Sequence, residues 1–382
     1  MERPQGLHSS FLRYFQEALC PQFGVDLAIA TTKEVCDQVI LPLTKAQKCP
    51  LVDLLPALRA QAEAEGFVTA AEPSWQANAT VFISHAWKYP MSAPAGVMLE
   101  YAQAEDDSAY FWFDLFINNQ NGFEITHSFE WLCGRFKDSI RAIGKVILVL
   151  SPWNDPIPLT RSWCLWELVS TAELVGQVEF LVRLPAGEQE HFTQAIRENA
   201  GVVYQSLLDV DARRAEASVD SDRMMIAEAI EKTVGYASVN AMVKDQMTSW
   251  IVATVRGLLA TMVAQGQQDE FEYALLALQA NQILSAVSHD AEEQLLLIRA
   301  AQRVFAQQFD KTHPYMVSCS QALGAIYTDL DRLQEAEESL RTALKASTVE
   351  CGAMTEVNIL VSNPLTRSGR MSAVRWSVRL GS

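Results

Sequence analysis

TVFIS, from Thr80 to Ser84, sets three apolar residues in a row, two of them β-branched, and runs of the same kind follow it. These are YFWFDLFI (Tyr110 to Ile117), KVILVL (Lys145 to Leu150) and VEFLVRL (Val178 to Leu184). Short, nearly unbroken apolar runs rich in β-branched and aromatic residues read as strands buried on both faces. The intervals between most of them are long enough to hold helices. Four such strands in series predict an α/β domain, a parallel sheet with helices on both faces as in doubly wound folds.

Outward from this block the pattern turns helical. Residues 1–75 read as a helical segment, with FLRYFQEAL, Thr32 as a cap before KEVCDQVILPL, and LVDLLPALRAQAEAEGF ending at Gly66. The Ala, Pro, Ser and Asn of Val68 to Ala79 mark a connection, so the α/β domain is expected over 76–205. A helical linker is expected over 206–265. Within it, Asp209 to Arg223 mixes acidic and basic residues with little apolar content, as a linker or one long solvated helix face would. Residues 266–350 read as all-helical. The tail 351–382 carries Arg367, Arg370, Arg375 and Arg379 with no acidic residue after Glu356, and reads as irregular or disordered.

The 382 residues allow two or three domains, and 49% apolar content fills real cores. A net charge of −16 leaves no basic stripe to neutralise phosphates, which argues against nucleic acid and against anionic membrane surfaces. The N-terminus lacks the pattern of a secretion signal, and the longest apolar candidate, Ile251 to Ala264, is short and contains Arg256. These features predict a cytoplasmic protein with no membrane contact. Seven cysteines stand singly, with no C-x-x-C pair and no histidines at zinc spacing. Reduced thiols and no metal site are expected. No G-x-x-x-x-G-K-[ST] or G-x-G-x-x-G follows a predicted strand, and no G-x-S-x-G elbow occurs, which disfavours P-loop, Rossmann and lipase-type chemistry.

The series VFISHAW (Val81 to Trp87), FWFDLF (Phe111 to Phe116), IRAIGKVILVLSPW (Ile140 to Trp153) and TRSWCLWELVSTAEL (Thr160 to Leu174) resembles, in order and spacing, the TIR domain. That family has a first strand ending in F-[IV]-S, a second ending in aspartate, an I-x-V-L-S-x strand and a W-C-x-x-E-L helix. The resemblance spans about Ala79 to Pro185 and implies a flavodoxin-like sheet. Two loops depart from the family, KYPMSAPAGVMLEYAQAEDDSAY and NNQNGFEITHSFEWLCGRF, and both touch the implied nucleotide pocket. Further on, Leu323, Gly324, Tyr327, Ala336, Leu340 and Ala343 stand at offsets similar to those of tetratricopeptide (TPR) repeats of the kinesin-light-chain type. Gln294 and Ala301 stand 42 residues before Ala336 and Ala343, in a more degraded repeat.

Open parallel sheets bind ligands beyond the carboxyl ends of their strands, where Ser84, His85, Trp87, Asp114, Ser151 and Trp153 fall. Glu167 lies on a helix expected to start near Ser162 as its cap, with Trp163, Glu167 and Ser170 beside an apolar face of Cys164, Leu168, Ala172 and Val175. In TIR domains that hydrolyse NAD the glutamate of this helix is catalytic, and it corresponds here to Glu167. The resemblance therefore implies NAD as a substrate, with no permanently bound cofactor. Trp87 or Trp153 would stack on nicotinamide, and Asp114 would mark the closing loop. The residues alone equally allow a solvated Glu167, a structural His85, a turn-forming Asp114 and core tryptophans, Trp112 foremost.

Two functions follow. One is an NAD-cleaving signalling enzyme regulated by its helical region. The other is a non-catalytic adaptor, self-associating through TIR-like contacts and holding a protein partner in the groove of its repeats.

Overall fold

The computed structural model describes residues 3–122, 129–174, 176–217, 220–287 and 290–350. The basic tail, Val175 and part of the long loop after Ile117 lie outside them. The described chain forms two compact units, Met1–Gln194 with Val203–Trp250, and Ala195–Val202 with Ile251–Ser382.

The first unit is built on a six-stranded mixed sheet. Its strands are β1 (Gln5–His8), β2 (Gln76–Asn78), β3 (Val81–Ser84), β4 (Tyr110–Trp112), β5 (Lys145–Val149) and β6 (Glu179–Arg183), in the order β2-β1-β4-β3-β5-β6. The last four are parallel, with Phe82 opposite Trp112 on one side and Val146 on the other. Each lies inside one of the four apolar runs, and β3 and β5 are almost wholly buried. The Phe82 and Trp112 rings stack at 4.4 Å, so the paired runs pack side chain on side chain as well as backbone on backbone.

The sheet departs from a purely parallel one. β1 pairs antiparallel with both β2 and β4, Leu7 lying opposite Phe111. The helical segment at the N-terminus, expected as a segment of its own, thus lies in the same unit as the sheet and supplies one of its strands. Its helix from Ser9 buries Phe11 and Phe15 against Phe116, with ring centroids 5.6 and 5.0 Å apart. Apolar area removed from water at about 25 cal/mol per Å² makes such aromatic contacts the main glue between segment and sheet. The YFWFDLFI run is also divided: the strand stops at Trp112, and Asp114–Ile117 makes a helical turn. Asp114 itself starts that turn, its Oδ1 accepting the Leu115 N–H at 2.7 Å.

From β3 the chain crosses to β4 through helix α1 (Ser92–Ala104), then passes back over β3 through helix α2 (Phe129–Ile143) to β5. The strand order reverses between β3 and β5. Helix α3 (Ser162–Ala172) follows β5 and leads to β6. Its cap is Arg161 in extended conformation and not Ser162, which is already the first helical residue and makes no side-chain cap.

The second unit is all helical over its described residues. Helices Phe271–Val287, Ala291–Phe305, Pro314–Asp329 and Leu333–Glu350 follow one another through short connections, and each packs on the next. Gln294, Ala301, Leu323, Tyr327, Ala336 and Ala343 are all buried there. A Cβ on Gly324 would meet Leu340 Cγ at 2.5 Å, so glycine lets these last two helices approach.

Among the described residues one helix, Gly235–Ala264, is long and apolar enough to cross a membrane by length and composition. It carries Lys244, Asp245 and Arg256, and Val239, Val243, Met247, Ile251 and Val255 are buried at four-residue spacing. That stripe is the signature of a helix packed against protein along one face.

Candidate functional site

β3 ends at Ser84, and α3 passes over that end with Glu167 turned inward. Ser84 Oγ donates to Glu167 Oε2 at 2.5 Å, and the glutamate is only 8% exposed. A helix surrounded by protein has no solvent face to offer, and most of α3, from Ser162 to Ala172, is buried. Burial pushes the Glu167 carboxyl up to about 8; the Ser84 bond works the other way, and the nearby Asp114 charge adds to the rise. Glu167 therefore holds its proton at neutral pH.

Asp114 forms a second centre two residues beyond β4. Trp87 Nε1 donates to its Oδ2 at 2.7 Å. Burial raises this carboxyl to about 6, offset in part by the Trp87 and Leu115 donors. Its side chain keeps 23% of its surface, so it reaches water and ionises more readily than Glu167.

His85 lies beside Asp114. Its ring stacks on Phe113 at 4.4 Å, and its Nδ1 is 3.9 Å from Asp114 Oδ1. Burial pulls the imidazole down to about 3, which keeps it neutral, and its Nε2 has no hydrogen-bond partner. Cys164, one turn before Glu167, points its Sγ to the His85 carbonyl at 3.3 Å. Burial raises that thiol well above its ordinary value, so it stays protonated and unreactive.

Five of the sequence-predicted residues thus come together: Ser84, His85, Trp87, Asp114 and Glu167. The other three are engaged differently. Trp163 donates its indole N–H to Asp222 Oδ2 at 3.0 Å and packs on Phe136. Trp153 packs on Phe192, with its backbone N–H on Glu188 Oε2 at 3.0 Å. Ser151 contributes its backbone: its N–H donates to Tyr89 Oη at 2.9 Å, and Tyr89 in turn donates to the Ser151 carbonyl.

Tyr89 and Cys164 are the residues that sequence reasoning passed over. Cys164 stands inside the W-C-L-W-E-L motif and reads there as one more apolar position. Tyr89 follows Trp87 by two residues, and only the distance from β3 to β5 across the strand-order reversal reveals its role.

A carboxyl held neutral in a dry site can donate a proton, or lose it to solvent when a positively charged ligand is placed against it. Asp114 supplies a negative charge close by, and the neutral His85 adds no repulsion to a cation. Among the described residues, no group of three His, Cys, Asp or Glu stands where it could hold a metal ion. No family model, curated protein or solved structure matches this chain.

Proposed function

We propose that the chain is a cytoplasmic signalling protein. In this reading the first unit is a TIR-like, flavodoxin-like domain that cleaves NAD, and the second is a short array of TPR-like repeats of the kinesin-light-chain type that binds a protein partner. The observation that carries the enzymatic reading is the Ser84–Glu167 pair at the carboxyl end of the central strand, beside the strand-order reversal where such sheets take ligands.

The nicotinamide ring of NAD is cationic, and its bond to ribose breaks with the electron pair passing to the ring nitrogen. The ring leaves neutral, and the positive charge moves to the ribose as an oxocarbenium-like centre. A carboxylate against that centre stabilises it in a water-poor site, as in glycoside hydrolysis. Water then adds to the ribose carbon and releases a proton to solvent. The positive charge of the bound substrate lowers the Glu167 pKa, and the proton passes to solvent water as the substrate binds, which leaves a carboxylate against the ribose. Asp114 and the Trp87 ring flank the same site.

One observation favours a second reading. Glu167 is covered and Trp87 is tied to Asp114 by its indole N–H, as in an adaptor that uses the domain for self-association and the repeats for peptide capture. NAD consumption by the purified chain, with and without a crowding agent, decides between them. Nicotinamide release that Glu167→Gln and Glu167→Ala abolish supports the enzyme. Wild type as inert as both variants takes away the main support of the enzymatic reading and turns the search to what the repeats bind.

A further inference from the structure

In sequence, the stretch 211–233, described over 211–217 and 220–233, lies between β6 and the helical repeats, where a linker is expected. It is instead bound to both elements that cover the two carboxyls. Glu216 pairs by its backbone with the entry to α3: its N–H donates to the Thr160 carbonyl at 2.8 Å, and its carbonyl accepts the Ser162 N–H at 2.9 Å. Asp222 accepts the indole of Trp163, the next residue along. The Glu216 carboxylate also lies 3.7 Å from Lys88 Nζ, directly after Trp87. One short segment thus holds the helix that carries Glu167 and the loop that carries Trp87.

We infer that this segment is an autoinhibitory strap whose release opens the Glu167 site; the inference rests on the enzymatic reading above. The strap holds the α3 entry by two backbone bonds and one indole–carboxylate bond, and the Lys88–Glu216 pair is exposed on both sides and worth little. The residues buried at its start are small, Ala212 and Ala215, while Ile226 and Ile230 of its helix are buried further on. A cavity of about 30 Å³, lined by Ser162, Leu165, Ala215, Arg223 and Ile226 among others, remains between strap and helix. Contacts left unmade there are contacts that release does not have to break.

Cys164 supplies a readout independent of turnover. It sits one turn from Glu167 and is buried while the site is shut, and Cys20 and Cys36 are buried in the main core of the same unit. Alkylation mapped by mass spectrometry is compared in the full chain, in Asp222→Ala and in Glu216→Pro, which lacks the N–H to Thr160. Losing one such bond is expected to speed Cys164 labelling about tenfold while Cys20 and Cys36 stay shielded, with NAD cleavage rising in step. Unchanged Cys164 labelling in both variants overturns the strap. So does simultaneous labelling of all three thiols, which marks general unfolding. Faster Cys164 labelling with no NAD cleaved by any form leaves the strap standing and sinks the enzymatic reading instead.

Discussion

Ser84 and Glu167 are 83 positions apart in the chain, yet their side chains meet at 2.5 Å, the serine hydroxyl donating to the glutamate carboxyl at the end of the central strand. The bond fixes where α3 crosses the sheet, and it compensates only part of what burying a carboxyl costs. Four predictions follow from this pair and from two close backbone approaches.

Glu167→Gln changes the pH dependence of stability. Glu167 binds its proton up to about pH 8 in the folded chain and only to its ordinary value when unfolded, so its contribution to stability falls as pH rises through that interval. Asp114, raised to about 6, acts in the same direction lower down. His85, lowered from 6.5 to about 3, acts oppositely, with stability lost as pH falls through that range. Between pH 6.5 and 8 the Glu167 contribution therefore stands clear of the other two. The thermal midpoint should drop over that window in wild type and stay flat in Glu167→Gln, as differential scanning calorimetry would read.

Ser84→Ala removes the hydroxyl that donates to the Glu167 carboxyl and leaves it buried without that partner. A loss of about 1–3 kcal/mol in urea unfolding is expected. Because this bond lowers the Glu167 pKa, its titration should move higher still, which carboxyl NMR of labelled protein would show.

Gly6→Ala tests whether β1 belongs to the sheet. A Cβ there would sit 2.9 Å from Ala79 Cα and 3.1 Å from the Tyr110 carbonyl carbon, both backbone atoms that cannot turn aside. Destabilisation of about 1–3 kcal/mol is expected in the first unit. A helical segment merely attached beside the sheet would tolerate the methyl.

Gly324→Ala sets two effects against each other in the second unit. Alanine favours the helix by about 0.5–1 kcal/mol. The added methyl overlaps Leu340 Cγ and Cδ2 at 2.5 Å, and forcing a crossing apart costs about 1–3 kcal/mol. Net destabilisation is expected in chemical unfolding; a gain would mean that Leu340 swings clear.

The parallel half of the sheet was legible because burial on both faces leaves an unbroken apolar run, as in Val81 to Ile83 and Val146 to Leu150. β1 was not, because a strand of four residues containing Gly6 and His8 carries no alternation long enough to read. The turn at Asp114 hides inside an apolar run, since Leu115, Phe116 and Ile117 are as buried in a helical turn as they would be in a strand. The meeting of Ser84, Asp114 and Glu167 follows from strand ends and helix phase, so it could be anticipated. The partners of Trp163 could not, because nothing near Asp222 marks it as facing a tryptophan 59 positions earlier.

Tyr89 stitches the loop after β3 to the loop after β5 by giving one hydrogen bond to Ser151 and taking another from it. The sheet order reverses between those strands, and open parallel sheets in general take ligands at such a reversal. Spreading the two loops apart therefore means breaking both bonds. On the proposal above, opening falls instead to α3, the helix that the strap holds.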